Sequence, residues 1–448
     1  MTNAVWWIRR DMRLADNGAL ASAASRGNVV PLFVVDPAFK NAGAARTQFM
    51  FATLRALDLS ANRSIVLRHA DPISEVVEFA QAVGAESVHV TADFSPYGRE
   101  RDARVRERLQ NAGIEFVEAD SPYAVNPGMV LKDDGTPLKV FTPFYKRWMN
   151  HVQLAERSAP QVKWADFRPL CQGYPTMDAP ASTIFPVGED ATWQRWNEWS
   201  THALDSYKAD RDNPGIDGTS QLSAALRFGV VHPRQLLRGL PASSGGDHFR
   251  SEIAWREFYA DVLFHLPHTK WENLQPKMNA LVNDSGEVAE KRFEQFCVGQ
   301  TGYPIVDAGI RQMVSTGWMH NRVRMIVASF LVKDLHLPWQ WGAKFFMDHL
   351  IDGDIASNNH GWQWTAGTGT DAAPYFRVFN PTTQSEKFDP SGSYIRQWIP
   401  EIAHLDNKSI HAPWALGLLA PSEYPPPMVD HSVEREEALA RYKSVSGK

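Results

Sequence analysis

In the stretch Asp352-Gly353-Asp354-Ile-Ala-Ser-Asn358-Asn-His-Gly-Trp362-Gln-Trp364, two carboxylates precede a helical spacing. Asp354, Asn358 and Trp362 fall at i, i+4 and i+8, which places them on one helical face. A carboxylate, a carboxamide and an indole in line suit an apolar core badly, because buried polar groups need partners. They suit a flat, redox-active heterocycle that needs a hydrogen-bond partner and a nearby electron donor. Upstream, Trp318-Met-His320-Asn321-Arg322-Val-Arg324-Met325 crowds polar and cationic side chains into about one helical turn. Two arginines so close call for carboxylate partners, and Asp352 is a candidate. Tyr207 to Arg211, followed by Gly218-Thr219-Ser220-Gln221-Leu222-Ser223, sets hydroxyls at the opening of a helix. Side-chain oxygens and free backbone N–H groups together suit a phosphate, though such a run alone is more often a plain cap.

Two further motifs fail on context. Gly367-Thr-Gly369-Thr-Asp371-Ala372 follows a helix and lacks the third glycine of a dinucleotide fingerprint. His265-Leu-Pro-His268 misses the helical i, i+4 spacing, and no cysteine or carboxylate cluster completes it, so no metal site is expected.

The elements that must position these residues divide along the chain. Val5–Ile8, Val29–Val35, Ser64–Arg68, Ser87–Thr91 and Ile114–Val117 read as strands. Helical stretches at 45–60, 73–83 and 97–112 separate them, with an N-cap at Asp16-Asn17. Strands alternating with helices argue for a parallel sheet, whose ligand crevice lies beyond the carboxyl ends of the strands. Prolines at 127, 137, 143, 160, 169, 175, 180 and 186 mark a long connector. From about 195 onward the spacing is helical, at 195–209, 219–228, 233–239, 247–265, 304–316, 318–333, 341–351 and 354–362. The fold class is an α/β domain with a parallel sheet (1–130), a linker (131–195) and an all-helical domain (196–448).

Composition narrows the classes. The chain has 448 residues, 44% hydrophobic and 22% charged, which excludes a disordered, collagen-like or coiled-coil protein. No apolar run approaches a membrane span, and MTNAVWWIRRDMRL has no signal-peptide pattern. Two cysteines, Cys171 and Cys297, cannot build a disulfide framework, as suits a reducing cytosol. The net charge of −5 offers no sign of nucleic acid, yet a local basic face is compatible with it. Sixteen tryptophans are many, and indoles ordinarily serve packing.

The motifs WREFY at 255–259, TGYPIVDAGIRQM at 301–313, GWMHNRVRM at 317–325 and DGDIASNNHGWQWTAGTGTDAAPYFRVFNP at 352–381 carry a resemblance. With VWWIRRDMRLADNGAL near the N-terminus, they make the sequence similar to the photolyase/cryptochrome family, over about residues 4 to 415. Within it the chain most resembles the bacterial class I cyclobutane pyrimidine dimer photolyases. The resemblance implies one FAD per chain in the helical domain. Tyr207, Thr219, Ser220, Gln221, Leu222 and Ser223 match its phosphate segment, and Phe249 stands where the family has an aromatic, usually Trp. Asp352, Gly353 and Asp354 match the acidic turn beside the flavin, with Arg324 pairing the first carboxylate. Asn358 matches the residue facing flavin N5, where an asparagine favours the fully reduced anionic flavin.

For the substrate, Glu252, Trp255, Asn321, Met325 and Trp364 match the lesion pocket. Arg211, Arg256, Arg322, Arg377 and Gln384 match DNA contacts. The implied partner is UV-damaged DNA, bound by a monomer in the bacterial cytosol or nucleoid, away from membranes. A dimer inside a duplex must be flipped out to reach a buried flavin, as for any enzyme that does chemistry on a stacked base. The implied reaction is electron donation by excited reduced FAD, splitting of the cyclobutane ring and return of the electron.

Two further positions depart from the family pattern. In the family's chain of three tryptophans, Trp362 matches the inner position and Trp339 the middle one, while the outer position falls on Gly286. Trp271 and Tyr303 are the aromatic substitutes. In the antenna region Glu100 lies where folate binders have a glutamate, but Arg99 replaces their amide. Methenyltetrahydrofolate, 8-hydroxy-5-deazaflavin and no antenna all stay open. The rival readings are a cryptochrome-type blue-light receptor and a (6-4) photolyase. Asn358 and Asn321 argue against them, with His320 as the residue that keeps the second alive.

Overall fold

The computed structural model describes residues 2–155, 159–175, 184–371, 374 and 377–446. Pro180 of the connector, Ala372 of the glycine-rich stretch, and Ala373, Tyr375 and Phe376 of the last family motif lie outside them. The chain forms two compact units: Met1–His202 with Ser220–Pro267, and Ala203–Thr219 with His268–Lys448. The division at 130 and 195 follows sequence pattern, whereas this one follows packing.

In the first unit, the five Val- and Ile-rich runs are β1 (Asn3–Trp7), β2 (Asn28–Val35), β3 (Val66–His69), β4 (Ala85–Thr91) and β5 (Glu115–Asp120). They are parallel, in the order β3-β2-β1-β4-β5. Parallel pairing requires crossovers, made here by α1 (Gly18–Ala24), α2 (Ala44–Ser60), α3 (Pro72–Ala82) and α4 (Pro96–Asn111). Asn17, Asp71 and Ser95 cap α1, α3 and α4 by accepting backbone N–H bonds from Leu20, Ile73 and Gly98. Val5, Val30, Leu32 and Val88 are fully buried, as strands covered on both faces should be. Pro31 lies inside β2 without cost, because β3 begins pairing only at Leu32. Before it, residues 163–165 of the connector supply a rung: Val29 donates to Lys163 (2.8 Å) and accepts from Ala165 (2.9 Å).

The connector is not all loop. It contains α5 (Phe141–His151), hidden from the sequence by Pro143, which stands in the first turn where no N–H is required. Next come α6 (Glu189–His202), α7 (Tyr207–Asp210), α8 (Ser223–Phe228), α9 (Pro233–Arg238) and α10 (Ser244–His265). Buried carboxylates staple α10 to the segment that follows β5 and to α5. Glu257 accepts from Ala124 (2.6 Å), Val125 (3.0 Å) and the Trp148 indole (2.7 Å), and Asp261 accepts from Gly128 (2.6 Å). Burial outweighs these bonds and pushes Glu257 up to about 7.

The second unit holds α7 and the later helices: α11 (Glu287–Cys297), α12 (Pro304–Thr316), α13 (Asn321–Ser329), α14 (Trp339–His349), α15 (Ile355–Ala366), α16 (Pro381–Phe388), α17 (Ser393–Trp398) and α18 (His431–Ser446). A π-helical turn, Phe330–Asp334, continues α13. Ile305, Val323, Phe330, Trp339, Phe346, Trp362 and Tyr394 share its core. The helix expected from 318 starts at Asn321, because His320 turns out of the helix and accepts the Arg322 N–H (3.2 Å) as its cap.

Candidate functional site

Helices α13 and α15 bring the sequence-singled residues of the second unit together. Arg324 donates to both oxygens of Asp352 (2.9 and 3.1 Å), so the expected ion pair forms, with the carboxylate nearly fully buried. Asp354 is the N-cap of α15, accepting from Ala356 (3.0 Å) and Ser357 (3.4 Å). Gly353 lies in the turn between them and donates to Leu350. One helical turn on, the Asn358 amide nitrogen donates to the carbonyl of Ala343 (3.0 Å) and to Asn359 Oδ1 (2.8 Å). Two oxygen partners fix the amide orientation and leave Asn358 Oδ1 as an open acceptor. Below it, the Trp362 indole N–H is buried without a partner among the described residues. A carboxylate pair already satisfied, an oriented amide oxygen and an orphaned indole donor fit the flat heterocycle inferred from the sequence.

Arg322 also finds a carboxylate, Asp212 (2.7 Å), which the sequence did not mark, and its guanidinium lies 4.3 Å from the Phe388 ring centre. Arg211 packs over Tyr207 (5.6 Å), itself buried. Asn321 is exposed at the first turn of α13, with Met325 half-buried one turn later. Trp364 and Gln384 are half-buried on α15 and α16, and Arg377 is exposed. Thr219 is half-buried at the end of this unit's first segment. His320, committed as a cap, is pushed down to about 4 by burial and is therefore a neutral imidazole.

The tryptophans form a path inside this unit. Trp362 is 2% exposed and lies against Gly342 of α14, where any Cβ would collide with its ring. Gly342 is one turn from Trp339, 4% exposed. The Trp339 ring stacks on Trp271 (centroids 6.5 Å, planes 12° apart), and Trp271 is 38% exposed. Tyr303, the other substitute, instead packs between Phe330 and Trp414 and donates to the Val429 carbonyl. Gly286, on which the sequence count places the family's outer position, is the positive-φ residue that opens α11. Sequence reasoning missed what holds Trp271. Gln363 donates to Thr269 (2.8 Å) and accepts from Leu274 (3.0 Å), Asn359 donates to Lys270, and the Trp339 indole donates to Asn273 (2.9 Å). The available signal was a second polar row, Asn359 and Gln363 at i, i+4 on α15.

In the first unit, Leu222 is the N-cap of α8 and makes no side-chain cap bond, with Gln221 before it in the left-handed region (φ 55°). The hydroxyl run is therefore an irregular segment and not the first turn of a helix from 219. Ser220 offers its carbonyl to Arg195 (3.2 Å), and Ser223 is exposed. Phe249 is buried between Trp196 (5.1 Å) and Trp199 (5.5 Å). On the same helix Glu252 is half-buried, and Trp255 stacks face to face on Phe141 (centroids 3.7 Å, planes 8° apart). Arg256, which the resemblance sends to DNA, makes contacts inside the protein: the carbonyls of Pro122 and Leu226 (3.2 Å each) and the Tyr123 ring.

A cavity of about 780 Å³ opens beyond the carboxyl ends of β4 and β5, lined among others by Asp93, Phe94, Arg99, Asp120 and Arg234. That is where a parallel sheet places its ligand crevice. Arg99 donates to the Phe264 carbonyl (3.3 Å) and lies over that ring, while Glu100 points to solvent.

Comparison with known proteins gives a concordant result. A family model described as the FAD binding domain of DNA photolyase matches residues 249–444, and one described as DNA photolyase matches residues 4–163. The deoxyribodipyrimidine photo-lyase of Escherichia coli (strain K12) is 38% identical over 481 aligned positions, 99% of each chain. That of Streptomyces griseus is 36% identical over the full length of both. A bacterial class III photolyase structure from Agrobacterium tumefaciens has a TM-score of 0.93 at 33% identity, covering 100% of this chain and 98% of its own. The cryptochrome of Synechocystis sp. PCC6803 has a TM-score of 0.87 at 26% identity, covering 98% of this chain and 99% of its own.

Proposed function

The chain belongs to the photolyase/cryptochrome family, and from that premise we propose how its own residues serve light-driven repair of cyclobutane pyrimidine dimers in DNA. The observation that carries the function is full-length likeness, at 35–38% identity, to proteins named deoxyribodipyrimidine photo-lyase. Likeness to a cryptochrome is lower, at 26%. The cofactor is FAD, which when bound and reduced supplies on illumination the electron that opens the dimer and takes it back.

Each side chain then has a task. Asn358 presents Oδ1, an acceptor suited to the N–H that a reduced flavin carries at N5. Arg324 neutralises Asp352, so the acidic turn holds the cofactor without opposing its negative charge. Tyr207, Thr219, Ser220, Gln221, Leu222 and Ser223 take the phosphate end, and Phe249 supports the site from within its aromatic cluster. Glu252 and Asn321 read the dimer's carbonyl and imide edges, while Trp255, Met325 and Trp364 give the flipped base its apolar surface. Arg211, Arg322, Arg377 and Gln384 hold the backbone, which gives register without sequence information. Arg256 is assigned to the contacts it makes with Pro122, Tyr123 and Leu226. A (6-4) reaction is disfavoured because His320 is a neutral cap and its neighbour is Asn321. The antenna stays open between a folate, a deazaflavin and none. We place the chain in the cytosol or nucleoid, acting as a monomer on UV-damaged DNA.

The test is an absorption spectrum of the purified protein, followed by incubation with a dimer-containing oligonucleotide in blue light and in darkness. Light-dependent recovery of the undamaged strand is expected. Bound flavin without repair would turn the reading to the photoreceptor.

Lesion binding should weaken steeply with salt despite the net charge of −5. In Arg377→Ala the slope of log K against log salt should fall by about 0.9 on a duplex, or about 0.7 on a single strand. An unchanged slope removes Arg377 from the interface.

A further inference from the structure

Lys333 is 1% exposed, in the π-helical turn that extends α13. Lysine is almost never fully buried, because stripping water from an ammonium is costly unless it is paired. Its ammonium donates to the carbonyl of Arg377 (2.7 Å) and lies 5.7 Å from the Tyr442 ring centre. The adjacent Asp334 accepts from His431. Burial pulls Lys333 down to about 8 against the pull of Asp334. One turn earlier on the same face, Ser329 Oγ accepts the N–H of Phe379 (3.3 Å). Two side chains of one helical element thus grip the backbone of residues 377–380 at two points. That segment runs into Asn380, the cap of α16, which bears Gln384.

π-Helical turns inside α-helices tend to occur at functional sites. Here the turn extends the helix that presents Asn321, Arg322, Arg324 and Met325, and it ends under the loop that presents Arg377. We propose that Lys333 and Ser329 are positioning residues that fix the Arg377 segment against α13, so that the Arg377 guanidinium meets a phosphate in register with the lesion pocket. This rests on the reading of Arg377 as a phosphate contact. The buried ammonium acts only through that backbone and touches neither flavin nor DNA.

The experiment is a double-mutant cycle on the flavin-loaded, full-length protein, read by fluorescence anisotropy with a dimer-containing duplex over a range of salt. Lys333→Met keeps an unbranched chain one atom shorter and removes the donor, and an unchanged flavin spectrum controls for folding. K333M should weaken lesion binding by about tenfold and reduce the salt slope as R377A does, while K333M added to R377A should cost less than about twofold more. A general loss of packing would instead add to R377A and leave the slope alone, and that outcome overturns the proposal. An unchanged slope in R377A itself defeats the phosphate reading, and the proposal with it, whatever K333M does. Normal binding by K333M beside a weakened R377A defeats the proposal alone. Should K333M fail to retain flavin, Ser329→Ala takes its place in the cycle. There a loss of about threefold that vanishes in the R377A background supports the proposal, and an additive or absent loss overturns it.

Discussion

Trp362→Phe should abolish light-driven reduction of oxidised FAD, yet leave dimer repair near normal once dithionite has reduced the flavin. A phenyl ring fills most of the space against Gly342 and Phe346 but is far harder to oxidise than indole. Reduction from outside needs an electron delivered through the protein; repair from a pre-reduced flavin returns its electron and needs none. The geometry extends the test to the surface. Trp271 stacks on Trp339 and is the exposed member of the series, so Trp271→Phe should lower the yield of stable reduction without touching repair. The positive charge then stays on Trp339 and recombines before solvent can refill it. Loss of both activities in Trp362→Phe would mean that the indole holds the cofactor in place. Normal photoreduction in that variant would sink the path, and normal photoreduction in Trp271→Phe would move the exit elsewhere.

How much of this was legible in the sequence depends on whether an interaction is local. The five strands and the Asn17 cap follow from short-range pattern, and the strand ends fall within three residues of where the pattern put them. The Arg324–Asp352 pair spans 28 residues but could be anticipated, because two crowded arginines require acid and an acidic turn lay within reach. Asp212, which pairs with Arg322 across 110 positions, gave no such signal. Trp271 was one of two candidates, and the choice rests on Gln363, Asn359 and Trp339 binding the backbone and side chains of residues 269–274. Bonds to backbone carry no periodicity. The α8 start was misplaced for the opposite reason: Gln221 adopts a left-handed conformation that local propensity does not favour outside glycine and asparagine.

Trp255→Ala should weaken binding of dimer-containing DNA by about 1–3 kcal/mol, the usual worth of a base–aromatic stack. That is roughly 5- to 150-fold in Kd. Binding of undamaged DNA should change far less, because phosphate contacts dominate it. The structure sharpens this expectation. One face of the Trp255 ring is already covered by Phe141 at 3.7 Å, so the indole has a single face to offer. Truncation to alanine also uncovers Phe141, which costs stability by a route unrelated to DNA. Trp255→Phe separates the two effects, since a phenyl ring still covers Phe141 while offering a flipped pyrimidine a smaller surface. Stability measured by denaturant should therefore recover in the phenylalanine variant, and lesion affinity should recover only in part. Affinity that tracks stability in both variants, with equal losses on damaged and undamaged DNA, would show that Trp255 is a packing residue of α10 and no part of the lesion pocket.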